Sequence, residues 1–241
     1  MNSNSKTIPD NHTPVRRSTH RKGKRTTADW LVPLLLILLS TVPVIAGSVR
    51  LIELSSGANI TAENARFFAS PIPVVLHIIS VTFYSMLGAL QFSRGFRHRQ
   101  PKWHRTLGWF LTPSGFVAAL SGLWMTHFYP WPAYDGISLY GLRLVFGIGM
   151  VIALVLASLA IRQRNYAQHG AWMMRAYAIG MGAGTQVFTH LPWFLFPSIQ
   201  SELARSLCMA AGWLINLAIA EWLIYKRLSR PKRAPDKLAR S

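Results

Sequence analysis

The sequence contains six apolar stretches of roughly 20 residues each, separated by short polar or basic segments. A helix rises about 1.5 Å per residue, so about 20 apolar residues cross a hydrocarbon layer of about 30 Å. We therefore predict an all-α fold, a polytopic transmembrane bundle of about six helices. The stretches occupy positions 30–49, 72–92, 107–126, 139–161, 171–194 and 203–225.

The distribution of charge decides between two classes of basic protein. Only 14% of the 241 residues are charged, yet the net charge is +18. Nucleic-acid-binding proteins carry Lys and Arg on a folded face, whereas here they lie at the termini and in the gaps between apolar stretches. The predicted partner is the lipid bilayer with its anionic headgroups, and nucleic acid is not expected.

The basic residues also predict the orientation. They are concentrated in the gaps at 93–106 and 162–165 and after position 225. The alternate gaps, 50–71 and 127–138, carry little or no excess positive charge. Because cytoplasmic loops are enriched in Lys and Arg, both termini are predicted to be cytoplasmic. The expected location is the bacterial cytoplasmic (inner) membrane, with multiple passes.

The organisation along the chain follows from these spans. Residues 1–29 are predicted to be a disordered basic cytoplasmic arm, because they offer too little apolar surface to offset the entropy of ordering. Residues 30–226 form the predicted bundle, and 227–241 a basic cytoplasmic tail. The first stretch is interpreted as an uncleaved anchor, with a cleaved signal peptide as the alternative. Cys208 is the only cysteine, which excludes an intrachain disulfide and a Cys-based metal cluster.

Several short motifs in the second to fifth stretches resemble one family. They are Leu76-His77, Gly88-Ala89-Leu90-Gln91-Phe92, Pro101-Lys102-Trp103-His104-Arg105 with Gly108, Ser121-Gly122-Leu123, Ala160-Ile161-Arg162, and His169 with Trp172-Met173, Arg175 and Tyr177. Together they resemble the domain of unknown function 2306 family of bacterial multi-pass membrane proteins. The resemblance covers about 72–195 and leaves the first and sixth stretches as flanking additions. It implies a fold and a location, but no activity.

Four histidines are candidate cofactor ligands, in two predicted layers. His77 and His190 lie toward the outer ends of their helices, and His104 and His169 open their helices on the cytoplasmic side. Two neutral imidazoles on neighbouring helices can hold haem b, and imidazole also binds single metal ions. Whether the histidines face each other depends on helix rotation, so the cofactor and any metal remain unknown at this stage.

A second candidate site is a cytoplasmic anion site formed by His104, Arg105, His169 and Arg175. The helix N-termini at His104 and His169 add free N–H groups and positive dipole ends, which favour anions. A lipid phosphate, a haem propionate or an anionic solute would suit this site. The alternative is that these are ordinary interfacial basic residues.

A structural role is expected for one of two arginines near helix ends. Arg175 lies about one and a half turns inside its span and Glu221 about one turn from the inner end of the next, so we expect a structural ion pair. Arg143, near the outer end of its helix, can extend to the lipid headgroups, and no further role is assigned to it.

Three functional hypotheses remain, with the catalytic residues unknown. The first is a redox protein that binds haem, a metal or quinone through the histidines. The second is a small-solute (anion) transporter or channel, and the third a non-catalytic structural or lipid-contacting membrane protein. A homo-oligomer or a redox partner is compatible with all three. A reducible Soret band would select the first hypothesis.

Overall fold

The computed structural model describes residues 28–229, and within this range the chain is helical with no β-strand. The predicted arm at 1–29 lies almost wholly outside the described residues. Most of the predicted tail at 227–241 also lies outside them. The helices are α1 (Ala28–Ser56), α2 (Ala65–Ala69), α3 (Pro71–Leu90), α4 (Arg94–Arg99), α5 (Pro101–Phe128), α6 (Ile137–Arg162), α7 (Tyr166–Gly180), α8 (Gly182–Thr189), α9 (Leu191–Leu195) and α10 (Glu202–Leu228), with a 3₁₀ turn at Pro197–Ile199.

Five of these helices are long and apolar enough to cross a membrane, namely α1, α3, α5, α6 and α10. The prediction of an all-α polytopic bundle is therefore confirmed. The helices are joined by short segments, so consecutive spans run in opposite directions. The orientation relative to the two faces of the membrane stays a prediction.

The fifth predicted span is not one continuous helix. The structure divides 171–194 among α7, α8 and α9, with a break at Met181. Gly180 and Gly182 flank the break, and glycine costs about 1 kcal/mol relative to alanine in a helix interior. Packing requires small residues here, because a Cβ on Gly182 would lie 2.3 Å from the Trp213 ring. The apolar periodicity predicted the span but not this break.

The largest cluster of buried residues lies where α3, α5, α6 and α7 meet. Tyr84 occupies its centre and is 2% exposed. Its ring fits against Gly115 on α5 and Gly180 on α7, where a Cβ would lie 2.7 Å and 3.0 Å from ring carbons. Close backbone approach at small residues is a main source of helix association in lipid. These two glycines therefore allow three helices to converge on one aromatic ring.

The alternation of helix directions gives the bundle two ends. The Asp135 end contains the connections at 57–70, 129–136 and 190–201. The His104 end contains the connections at 91–100 and 163–165, together with the starts of α1, α5 and α7. Under the predicted orientation the Asp135 end faces outward.

Candidate functional site

A buried carboxylate is the centre of the Asp135 end. The Asp135 side chain is 2% exposed, and each of its oxygens accepts a hydrogen bond from a different arginine. Arg143 on α6 donates to Oδ2 at 2.5 Å, and Arg205 on α10 donates from Nε to Oδ1 at 2.7 Å. Charge-assisted hydrogen bonds of this kind are about twice as strong as neutral ones. Asp135 therefore ties the beginning of α6 to the beginning of α10.

Aromatic side chains hold the loop that carries Asp135. The Tyr129 hydroxyl donates to the Ser70 carbonyl at 2.5 Å, which fixes the start of the loop against α3. Burial raises the pKa of Tyr129, so this hydroxyl stays protonated as a donor. Further along, the Tyr134 ring meets the Trp193 ring edge to face at 5.2 Å. The loop is thereby attached to both α3 and α9.

A third arginine approaches the same carboxylate without pairing with it. Arg66 on α2 makes no salt bridge within residues 28–229. Its guanidinium donates to the Pro130 carbonyl at 3.4 Å and lies 4.7 Å from the centre of the Phe67 ring. Burial lowers the pKa of Arg66 because desolvation penalises the charged form, whereas the Asp135 carboxylate opposes that shift. Arginine still remains charged at neutral pH.

These charged groups line one end of a cavity of about 360 Å³. The lining includes three guanidinium groups and one carboxylate, which leaves two positive charges in excess. Toward the middle of the bundle the wall becomes aromatic and aliphatic, with Phe146 stacked on Trp213 at 4.6 Å. We call this space the arginine cavity; its charged residues are Arg66, Asp135, Arg143 and Arg205.

His77 forms part of the inner wall of the arginine cavity. Its Nδ1 lies 2.9 Å from the Ala118 carbonyl oxygen and 3.2 Å from the Ser121 hydroxyl. A carbonyl oxygen only accepts, so the neutral ring carries its proton on Nδ1 and leaves Nε2 as an acceptor. The structure thus orients His77 through α5.

The other outer histidine is placed differently. His190 lies at the junction of α8 and α9 and is buried, with Nδ1 2.9 Å from the Gln186 carbonyl of its own helix. It does not line the arginine cavity, whereas His77 does. The proposed facing pair of His77 and His190 is therefore not seen around a shared cavity, and a haem ligated by them stays a prediction.

The cytoplasmic candidates are only partly brought together. His104 and His169 lie near one another, and the His169 Nδ1 is 3.0 Å from the Ala157 carbonyl oxygen. The Nδ1 of His104 is buried and has no hydrogen-bond partner within the described part of the chain. Arg105 is exposed. An anion site at this end remains a prediction.

Arg175 is directed toward α10. Its Nε and Nη2 donate to the two Glu221 carboxylate oxygens at 2.5 and 2.9 Å, and its guanidinium stacks 4.4 Å from the Trp172 ring. The structure thus has the expected contact between Arg175 and Glu221. The pair is not enclosed, because the Glu221 side chain is 52% exposed on the outer surface of the bundle.

Sequence reasoning missed the four charged residues of the arginine cavity as a group. Arg143 was assigned no role beyond reach to the headgroups, but the structure pairs it with Asp135. One signal was available: the chain has only eight acidic residues among 26 basic ones, and Asp135 is the single acid in an aromatic loop. An isolated acid at the edge of the bilayer needs a basic partner.

Within the described residues, no group of three or more His, Cys, Asp or Glu side chains could hold a metal ion.

Comparison with known proteins gives a family. Residues 74–224 match the family described as predicted membrane protein (DUF2306). This range extends through most of α10, which the motifs alone had assigned to a flanking addition, and it leaves α1 outside. No curated protein and no solved structure matches the chain. Because the matched range covers more than half of the sequence, the chain belongs to the DUF2306 family of predicted membrane proteins.

Proposed function

We propose that this membrane protein binds a small organic anion in the arginine cavity, as a solute-binding protein of the transporter class. The observation that carries the proposal is the excess of two positive charges among the lining residues. Guanidinium groups recognise carboxylate and phosphate with paired donors in a fixed geometry. An anionic ligand would balance this charge.

A purely structural role accounts for only part of the arrangement. Asp135 needs two donors to satisfy its oxygens, and Arg143 and Arg205 supply them. Arg66 is not required for that purpose, yet it lies beside them and is held by a carbonyl and a ring. A partly buried cation without a counter-ion is costly in a low-dielectric setting. A ligand carboxylate would remove that cost.

The size and walls of the cavity favour an organic anion over a hydrated inorganic ion. Ligand sites are typically about 300–1,000 Å³, with mostly apolar walls and a few placed polar groups. The arginine cavity, at about 360 Å³, has this composition. Trp131 and Tyr129 lie at the charged end, and Phe146, Met150 and Trp213 lie deeper.

The broken helix supports the transporter class over the redox class. Gly180 and Ala183, on either side of the break at Met181, both line the arginine cavity. Discontinuous membrane helices form the substrate sites of many transporters. By contrast, a two-histidine haem site needs two imidazoles at one cavity, and His77 is the one candidate histidine in the lining of the arginine cavity.

Binding of sodium butanoate to the purified protein tests the proposal. The tryptophans of the cavity report on binding through fluorescence, with sodium chloride at equal ionic strength as the reference. Saturable binding is expected, and Arg66→Gln should weaken it about tenfold. This factor corresponds to the smaller free energies associated with loss of one hydrogen bond to a charged group. Arg66 is suited to this test because it belongs to no salt bridge within residues 28–229.

Arg162→Gln is the matched control, since Arg162 is an exposed arginine at the other end of α6. It should bind butanoate as the unchanged protein does. Absence of saturation, or equal effects of the two substitutions, would remove the proposal.

A further inference from the structure

A second cavity lies directly behind the first. It has a volume of about 160 Å³ and lies between α1, α3 and α8. We call it the lateral cavity. Four residues belong to the linings of both cavities, so the two spaces share a wall; these residues are His77, Val81, Gly180 and Ala183.

The shared wall is thin where it crosses the broken helix. Gly180 and Ala183 together contribute a single methyl group, and they flank the break at Met181. Ala183 is exposed although Met181, Gly182 and Gly184 beside it are buried. Since Ala183 lines both cavities, that exposure is toward them. Small shifts at this point would join the two spaces.

The chemistry of the lateral cavity differs from that of the arginine cavity. Its lining contains no Asp, Glu, Lys or Arg, and His77 is its one titratable group. The hydroxyls of Ser40 and Ser85 donate to carbonyls of their own helices, Leu36 at 2.7 Å and Thr82 at 3.3 Å. The lining adds one further hydroxyl, that of Thr82, and no charged group, so the space suits hydrocarbon and not a second charge.

The lateral cavity also lies at the joint between α1 and the rest of the bundle. Pro43, Val44 and Gly47 of α1 form one side of it. The family match begins at residue 74, so α1 covers a surface of the family core. Most of the apolar residues of α1 are exposed on the side away from that core. The lateral cavity is therefore bounded on one side by a helix whose far face is exposed.

We infer that the ligand is a single-chain amphipathic anion, whose acid group lies at the arginines and whose alkyl chain passes Ala183 into the lateral cavity. This inference rests on the proposed anion site and adds the nature of the apolar part. Arg143 and Met150, seven residues apart on α6, bracket the arginine cavity along about 10 Å of helix axis. A chain longer than that distance needs the second space.

A chain-length series tests the inference. Butanoate, hexanoate, octanoate and decanoate are titrated into the full-length protein in lipid nanodiscs, with partition into empty nanodiscs subtracted. Affinity is expected to rise about fourfold per buried methylene, the factor that corresponds to the transfer of one methylene from water. Ala183→Leu should fill the passage and abolish the rise beyond the shorter acids. Because Ala183 also lines the arginine cavity, each affinity is compared with that for butanoate in the same variant.

Ala167→Leu, at an exposed position of α7, is the matched control and should keep the full chain-length dependence. Thermal melting in the same nanodiscs establishes that both variants are folded. Affinity independent of chain length, or a rise that persists in Ala183→Leu, would overturn the inference while butanoate binding still upholds the anion site. Failure of every acid to bind, butanoate included, would overturn the anion site and the inference together.

Discussion

Replacement of Asp135 by asparagine removes the charge that joins α6 to α10. The side chain keeps its shape and one acceptor oxygen, but it presents an amide NH₂ to one of the two guanidinium groups. The charge-assisted hydrogen bond on that side is lost, and both arginines lose their counter-ion. The variant should therefore fold less stably, with its helices intact.

The expected cost follows from burial. Hydrogen bonds to charged groups contribute about 1.5–3 kcal/mol each, and breaking a buried ion pair costs about 3–5 kcal/mol. The Asp135 side chain is 2% exposed, but Arg143 and Arg205 are each 26% exposed and can reach water in part. The lower end of the range for a buried ion pair is therefore appropriate, and we expect the free energy of unfolding to fall by about 3 kcal/mol.

The matched control is Glu53→Gln. Glu53 pairs with Arg50 one turn away, and these two side chains are 34% and 27% exposed. The Glu53 carboxylate reaches water, unlike that of Asp135, and partly exposed pairs one turn apart contribute at most about 1 kcal/mol. Reversible unfolding in mixed micelles, followed by circular dichroism as dodecyl sulfate is added, gives both values. Equal losses in the two variants would show that Asp135 is not a buried bridge.

Two further predictions concern contacts between helices, one a glycine contact and one an ion pair. Gly88→Ala should destabilise the bundle by about 1–3 kcal/mol through overpacking, because the new Cβ would lie 2.6 Å from the Tyr177 ring. A Cβ on Gly108 would meet no atom within 4 Å, so the control Gly108→Ala should be neutral or stabilise the bundle by up to about 1 kcal/mol. Equal melting temperatures of the Gly88→Ala and Gly108→Ala variants would contradict this prediction. Glu221→Gln should lower the melting temperature in detergent more than Glu202→Gln does, because only Glu221 pairs with an arginine inside a span. Indistinguishable melting curves would show that the pair near α10 contributes nothing.

Contacts between neighbouring helices were accessible to sequence reasoning where depth alone decided them. Arg175 and Glu221 lie on consecutive spans at similar distances from the same end, and a charge inside the hydrocarbon needs a partner. Counting residues from the end of each helix was enough to bring them together. The position of the pair on the outer surface of the bundle could not be predicted from residue counts, because exposure depends on helix rotation.

The arginine cavity illustrates the opposite case. Asp135 is 70 residues from Arg205 in the chain and lies in a gap that the sequence pattern identified only by its lack of basic residues. Its placement depends on aromatic contacts of that loop with α3 and α9. The division of the fifth span at Met181 likewise follows from packing, since Trp213 occupies the space beside Gly182.

The linear pattern of apolar and basic residues determined the class of this protein, the number and limits of most helices and the alternation of their directions. These properties depend on the length of each stretch relative to the bilayer, which is a one-dimensional quantity. Apart from the Arg175–Glu221 pair, only the tertiary structure decided which polar side chains meet. The rotation of each helix about its axis is set by its fit against its neighbours. Because the side that faces lipid and the side that faces other helices are both apolar, the sequence pattern does not reveal that rotation.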